Sequence, residues 1–179
     1  MTTYVALLRG VNMGGHKLVA MADLRDLLTH MGFEDVHSLL QSGNLIFRSA
    51  RRSGAQLERL LEREAASRLA LETRFFVRTA KEWRDVVARI PFPEEARRDP
   101  SHLAVHFLGS KPAATAADAL RSSIKGRERI HVDGRQLYAV YPDGFARTRL
   151  TTALIDARLG APSTGRNWNT VLKILAALD

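Results

Sequence analysis

Residues 36–49, VHSLLQSGNLIFRS, set two short apolar runs on either side of Ser42-Gly43 and read as two strands around a hairpin-like turn. Upstream, a helix is expected over residues 21–31, because Leu24, Leu27, Leu28 and Met31 recur at helical spacing on one face. Gly32 stands where a left-handed cap would end that helix, with Phe33 packing back. Ahead of it, residues 4–8 read as a strand. Downstream, a helix over residues 55–70 places Leu57, Leu60, Leu61 and Leu69 inward, and residues 74–78 (RFFVR) read as the next strand. The order β-α-β-β-α-β is the split βαβ arrangement of a ferredoxin-like unit.

The remainder repeats that order loosely. A helix is expected over residues 80–89, and PFPEEARRDP (91–100), with three prolines, reads as a linker. A strand over residues 102–109 and an alanine-rich helix over 112–124 follow. ERIHV and QLYAVY read as strands joined by Asp133-Gly134, because both central positions of a type I′ turn need positive φ. Two closing helices are expected over residues 148–159 and 167–178, separated by Gly160, Pro162 and Gly165. The fold expected is therefore α+β, with two ferredoxin-like (βαββα-type) subdomains, residues 1–90 and 91–179, and closing C-terminal helices.

The chain has 179 residues, enough to bury a core without disulfides or metals. It has no cysteine, which excludes thiolate nucleophiles and every cysteine-based metal site. The N-terminal apolar run is too short for a signal peptide, and no apolar segment approaches the ~20 residues that cross a bilayer. A cytoplasmic location with no membrane partner is expected. The net charge of +8 favours anionic partners. It is spread evenly, with 14 Lys/Arg against 10 Asp/Glu in residues 1–90 and 13 against 9 in residues 91–179. The densest basic clusters, Arg51-Arg52 and Arg97-Arg98, are only pairs. Either a solvated basic surface or a binding surface fits this pattern.

Three polar loops are the candidates for chemistry. The first, residues 9–17 (RGVNMGGHK), joins a strand to a helix. Its glycines Gly10, Gly14 and Gly15 permit close backbone approach, and exposed N–H groups there can cradle a phosphate or carboxylate. Arg9 and Lys17 add charge, and Asn12 adds an amide. It matches neither the P-loop nor the dinucleotide fingerprint, and a plain tight turn explains it equally. The second, Gln41-Ser42-Gly43-Asn44, is not a nucleophile elbow; it reads as a hairpin turn with Asn44 bonded to local backbone, or as a source of ligand contacts from Gln41 or Asn44. The third, residues 164–170 (TGRNWNT), opens the last helix. Thr164 or Asn167 can cap it, Arg166 can grip a carboxylate or phosphate in bidentate fashion, and Asn169 is a further polar contact. Trp168 either stacks on a base or anchors the helix to the core.

The six histidines do not converge. His102 and His106 are four apart on a strand pattern, so no metal site is expected. The acids near the first loop, Asp23, Asp26, Glu34 and Asp35, have no obvious partner for paired acid–base work. No cofactor is expected.

YVALLRGVNMGG (4–15), LQSGNLIF (40–47) and TGRNWNTVLKI (164–174), in that order, resemble the signatures of the bacterial family of unknown function numbered 1697. The resemblance covers essentially the whole chain, loosely over residues 91–135, and implies an α+β fold with two ferredoxin-like subdomains. It implies no activity. It maps the family's motif residues onto Arg9, Gly10, Asn12, Gly14, Gly15, Gln41, Ser42, Gly43, Asn44, Arg166, Asn167, Trp168 and Asn169. From the residues themselves, the function expected is binding of a small anionic ligand, a nucleotide or phosphorylated metabolite, where the three loops meet. A nucleic-acid-binding module and a structural or interaction role are the alternatives, although no strand carries the RNA-recognition signature.

Overall fold

A computed structural model describes residues 1–13 and 17–179. The chain divides into two compact units, Met1–Asp85 with Ile174–Asp179, and Val86–Lys173. Each carries a four-stranded antiparallel sheet.

In the first unit, β1 (Thr2–Leu8), α1 (Met21–His30), β2 (Glu34–Leu39), β3 (Asn44–Ser49), α2 (Gly54–Leu69) and β4 (Phe75–Thr79) follow in the split βαβ order. The sheet order β2-β3-β1-β4 puts β1 at the centre, antiparallel to both neighbours. Tyr4, Ala6 and Leu8 on one face of β1 join Leu24, Leu27 and Leu28 of α1 and Leu57, Leu61 and Ala65 of α2 in one apolar core. The end of α1 is closed as its sequence predicts. Gly32 takes φ +83°, the Phe33 N–H donates to the Leu28 carbonyl, and the Phe33 ring stacks on Phe47 with centroids 4.7 Å apart. The start of α2 is a capping box: Ser53 accepts from the Gln56 N–H, and Gln56 Oε1 accepts from the Ser53 N–H.

α3 (Ala80–Ala88) follows β4. Residues 91–100 are not a bare linker. They form α4 (Pro93–Arg98), with Pro93 in the first turn beside Glu94 and Glu95, and Arg97 and Arg98 in the last. Proline is favourable at a helix start because its missing N–H is one of those with no intrahelical partner, and both charge placements suit the helix dipole. A 3-10 turn, Pro100–His102, leads into the second sheet.

The second unit repeats the plan with β5 (Leu103–Leu108), α5 (Ala114–Ser123), β6 (Arg129–Asp133), β7 (Gln136–Val140), α6 (Thr152–Leu159) and β8 (Ser163–Asn167), in sheet order β6-β7-β5-β8. α7 (Trp168–Ala177) closes the chain. Residues 163–167, read above as a loop opening the last helix, are a strand. Gly165 and Asn167 have low strand preference, but β5 offers an open edge and pairs the segment from Ala104↔Asn167 to Leu108↔Ser163. Among the described residues, no helix is long and apolar enough to cross a membrane.

Candidate functional site

The first two loops come together in the first unit. Asn12 sits in the left-handed region (φ +55°), and its side chain ties three strands of chain: Oδ1 accepts the Val19 N–H, while Nδ2 donates to the Val19 and Gln41 carbonyls. Gly43 lies directly against this loop. Leu8, at the end of the neighbouring strand β1, donates its N–H to the Gly43 carbonyl at 2.9 Å, and a Cβ on Gly43 would sit 2.7 Å from Val11 Cγ2 and 2.9 Å from Leu8 Cβ. With φ at +86°, glycine is required here both by backbone conformation and by space. Asn44 is fully buried, donating from Nδ2 to the Leu39 carbonyl and Ser42 Oγ, so it holds the hairpin turn closed. Gln41 is exposed. Gly14 and Gly15 lie outside the described residues.

A cleft of about 820 Å³ opens beside the first loop, lined by Arg9, Gly10 and Lys17 on one side and by Glu72, Thr73 and Arg74 on the other, with Glu62 and Ala66 of α2 as its floor. The topology explains the meeting. β1 and β4 are antiparallel neighbours with Leu8 opposite Phe75, so the residue leaving β1 must face the residue entering β4. The Arg9 N–H donates to the Arg74 carbonyl (3.1 Å), and the Thr73 hydroxyl donates to the Arg9 carbonyl (2.6 Å). Lys17 Nζ donates to the Glu72 carbonyl, and Glu62 Oε1 accepts the Phe75 N–H. Gly10, at φ +63°, has open space where a side chain would be. Three cationic side chains, two carboxylates and a hydroxyl thus border one concavity. Of the residues the sequence singled out in the described part of the first two motifs, Arg9 and Gly10 line it, whereas Asn12, Gly43 and Asn44 brace the loops behind them. Arg74 and Thr73 were not anticipated; the split βαβ order, which sets the start of β4 beside the end of β1, was the signal that could have found them.

The third loop belongs to the second unit. Arg166 is buried, donates from one guanidinium nitrogen to Thr164 Oγ1 and the Gly165 carbonyl (2.8 Å each), and has its pKa lowered to about 10 by burial. Asn167 caps α7, accepting the Thr170 N–H at 2.9 Å, and Trp168 is buried. Asn169 is exposed. Gly165 pairs with His106 across the sheet, and a Cβ there would sit 2.9 Å from His106 Cε1 and 3.0 Å from Nδ1. The motif glycine therefore makes room for a buried imidazole. His106 Nε2 lies 2.8 Å from the Tyr141 hydroxyl, which donates to the Leu150 carbonyl at 3.3 Å, so Nε2 carries the proton and Nδ1 has no partner among the described residues. Burial lowers the His106 pKa to about 4. Tyr138 and Tyr141 sit on opposite faces of their strand and are both buried, with their hydroxyl pKa values raised by desolvation.

The family model described as "Protein of unknown function (DUF1697)" matches residues 1–138. The chain belongs to the DUF1697 family. The match takes in the first two motifs and, with them, every residue lining the cleft. Among solved structures, the DUF1697 chain is similar to the conserved bacterial protein SP0830 from Streptococcus pneumoniae, at 26% identity and a TM-score of 0.79 over 99% of each chain. That likeness carries the fold through the third motif, beyond the end of the family match. No protein of curated function matches.

Proposed function

We propose that this DUF1697 protein binds a small anionic ligand, a nucleotide or phosphorylated metabolite, in the cleft beside the first loop. The supporting observation is that Arg9, Lys17 and Arg74 border the same concavity as the open backbone of Gly10. Guanidinium groups recognise phosphate or carboxylate through paired N–H donors, and a glycine without a neighbouring side chain lets an anion approach the main chain. At about 820 Å³ the cleft lies in the range of about 300–1,000 Å³ typical of small-ligand sites. Glu62 and Glu72 in the lining suit the hydroxyl and amino groups of a nucleotide or sugar phosphate and disfavour a bare dianion. Asn12, Gln41, Ser42, Gly43 and Asn44 serve this site by fixing the shape of the loops that carry it.

The test is a thermal-shift and calorimetric panel of nucleoside phosphates and sugar phosphates against sulfate at matched ionic strength. A true ligand at 100 times its dissociation constant adds about 2.7 kcal/mol of stability. Arg74→Ala should abolish that gain while leaving the unliganded melting temperature little changed. A panel in which no phosphate outperforms sulfate, or a gain that Arg74→Ala leaves intact, refutes the assignment.

A further inference from the structure

A second basic concavity lies on the first unit, formed by Arg51, Arg52, Gln56, Arg59, Leu60 and Arg63, with a volume of about 490 Å³. In sequence its arginines are a pair and two singletons. The fold assembles them: Arg51 and Arg52 lead into the Ser53 cap, and Arg59 and Arg63 follow one turn apart along α2. We infer that this strip binds the sugar–phosphate backbone of a single-stranded nucleic acid, independently of the cleft at Arg9 and Arg74.

The charges are placed where folding alone would not put them. Like charges at i and i+4 on a helix repel, and cations at a helix start oppose its dipole. The first turn of α2 has no acidic residue to offset them. Several arginines elsewhere are neutralised, Arg48 by Asp35, Arg68 by Glu64, Arg121 by Asp118 and Arg127 by Asp143, while Arg74, Arg147, Arg149 and Arg158 are exposed with no ion pair among the described residues but do not line this concavity. The other sequence pair, Arg97-Arg98, shares Glu94. By contrast, Arg51, Arg52 and Arg59 are exposed and have no ion pair among the described residues, and Arg63 has only a 3.5 Å approach to Glu64, which Arg68 also holds. The carboxylates of α2 that might quench them are turned to other duties, Glu58 accepting the Val77 N–H and Glu62 the Phe75 N–H.

Extent and composition select the partner. From the cap at Ser53 to Arg63 the helix rises ~15 Å, the length of about four nucleotides at ~3.4 Å each, so a single phosphate group would leave most of the strip unused. A membrane surface is disfavoured because the strip is concave and its one apolar member, Leu60, is half-buried; the exposed large apolar residues, such as Leu18 and Phe145, lie elsewhere in the chain. With no aromatic side chain on the strip, binding is to the backbone and carries no base preference.

The test is fluorescence anisotropy of a labelled 12-nucleotide oligothymidylate against salt, with wild type, Arg59→Gln/Arg63→Gln, Arg59→Lys/Arg63→Lys and, as an off-site control, Arg97→Gln/Arg98→Gln. Four arginines neutralising four phosphates of a single strand release about 0.7 counterion each, so affinity should fall about 50-fold between 50 and 200 mM salt. Removing two should cut that to about 7-fold and weaken binding at 50 mM, whereas the lysine and off-site variants keep most of the wild-type behaviour. Circular dichroism checks that α2 persists, and the lysine variant separates lost charge from lost helix. No binding at 50 mM salt, an unchanged salt response in the glutamine variant, or capture only by phosphatidylserine/phosphatidylcholine vesicles or by inorganic tripolyphosphate would overturn the inference. Arg74→Ala should leave oligothymidylate binding intact, so this surface and the small-ligand cleft succeed or fail separately.

Discussion

His106 gives the protein a stability that depends on pH in a calculable way. Its ring lies in the sheet of the second unit with the Nδ1–Cε1 edge against Gly165, and Nδ1 has no hydrogen-bond partner among the described residues. A proton there would place a charge in apolar surroundings without an acceptor, which is why the pKa falls from 6.5 to about 4. The unfolded chain takes up that proton at the ordinary value, the folded chain only 2.5 units lower. Stability from this group is therefore complete above about pH 6.5 and is lost as pH falls from there through about 4. At 1.36 kcal/mol per unit the loss approaches about 3 kcal/mol, a large share of the 5–15 kcal/mol that holds a typical domain. The perturbation is acidification of wild type alongside His106→Leu, which cannot titrate at this position. Urea unfolding of both proteins at half-unit steps from pH 7.5 to 4.5 gives the difference in free energy, in which the carboxylates and the other histidines cancel. That difference should be flat above pH 7 and should shift against wild type by about 1.2 kcal/mol between pH 5.5 and 4.5. A difference independent of pH across the whole range would mean that His106 is not held neutral by burial, and the reasoning would fail.

Two substitutions probe the junction of the first two loops. Gly43→Ala should cost about 2–5 kcal/mol, combining a left-handed backbone with contacts of 2.7 and 2.9 Å to Val11 and Leu8, and should show as a lower urea midpoint with the m-value unchanged. Asn12→Ala removes the three hydrogen bonds to Val19 and Gln41 and should cost about 1–3 kcal/mol. Asn12→Gly, which relaxes the positive φ but restores no bond, should recover only part of that loss; full recovery would show that conformation rather than bonding selects asparagine there.

The βαββαβ order of the first unit, and that of the second as far as α6, were legible because they are written locally. Leucines at helical spacing, a Ser-Gly and an Asp-Gly turn, and Gly32 after the first helix each declare an element from neighbours a few residues away. β8 escaped for the converse reason. Ser163–Asn167 has no strand signature of its own, and only the free edge of β5 makes it one. The 91–100 segment escaped differently: its prolines were weighed as breakers, although Pro93 with Glu94 and Glu95 ahead of Arg97 and Arg98 is also a helix start and finish. Among the site residues, Arg9 and Gly10 stood out by type, but Arg74 gained its meaning only from lying opposite Arg9 across two paired strands.

Most of the order of elements, the α+β class and the family were set by the amino-acid pattern itself, since periodicity, caps and turns act over one or two turns of chain. Tertiary structure alone decided which motif residues brace and which are presented. Asn12, Asn44 and Arg166 are polar residues that any linear reading offers to a ligand, yet their donors are used by backbone and hydroxyl groups brought alongside by folding. Arg9 and Arg74, far apart in sequence, border one cleft by the same return of the chain. Hydrogen-bond saturation and charge density are properties of what a side chain meets in space, and sequence order does not contain them.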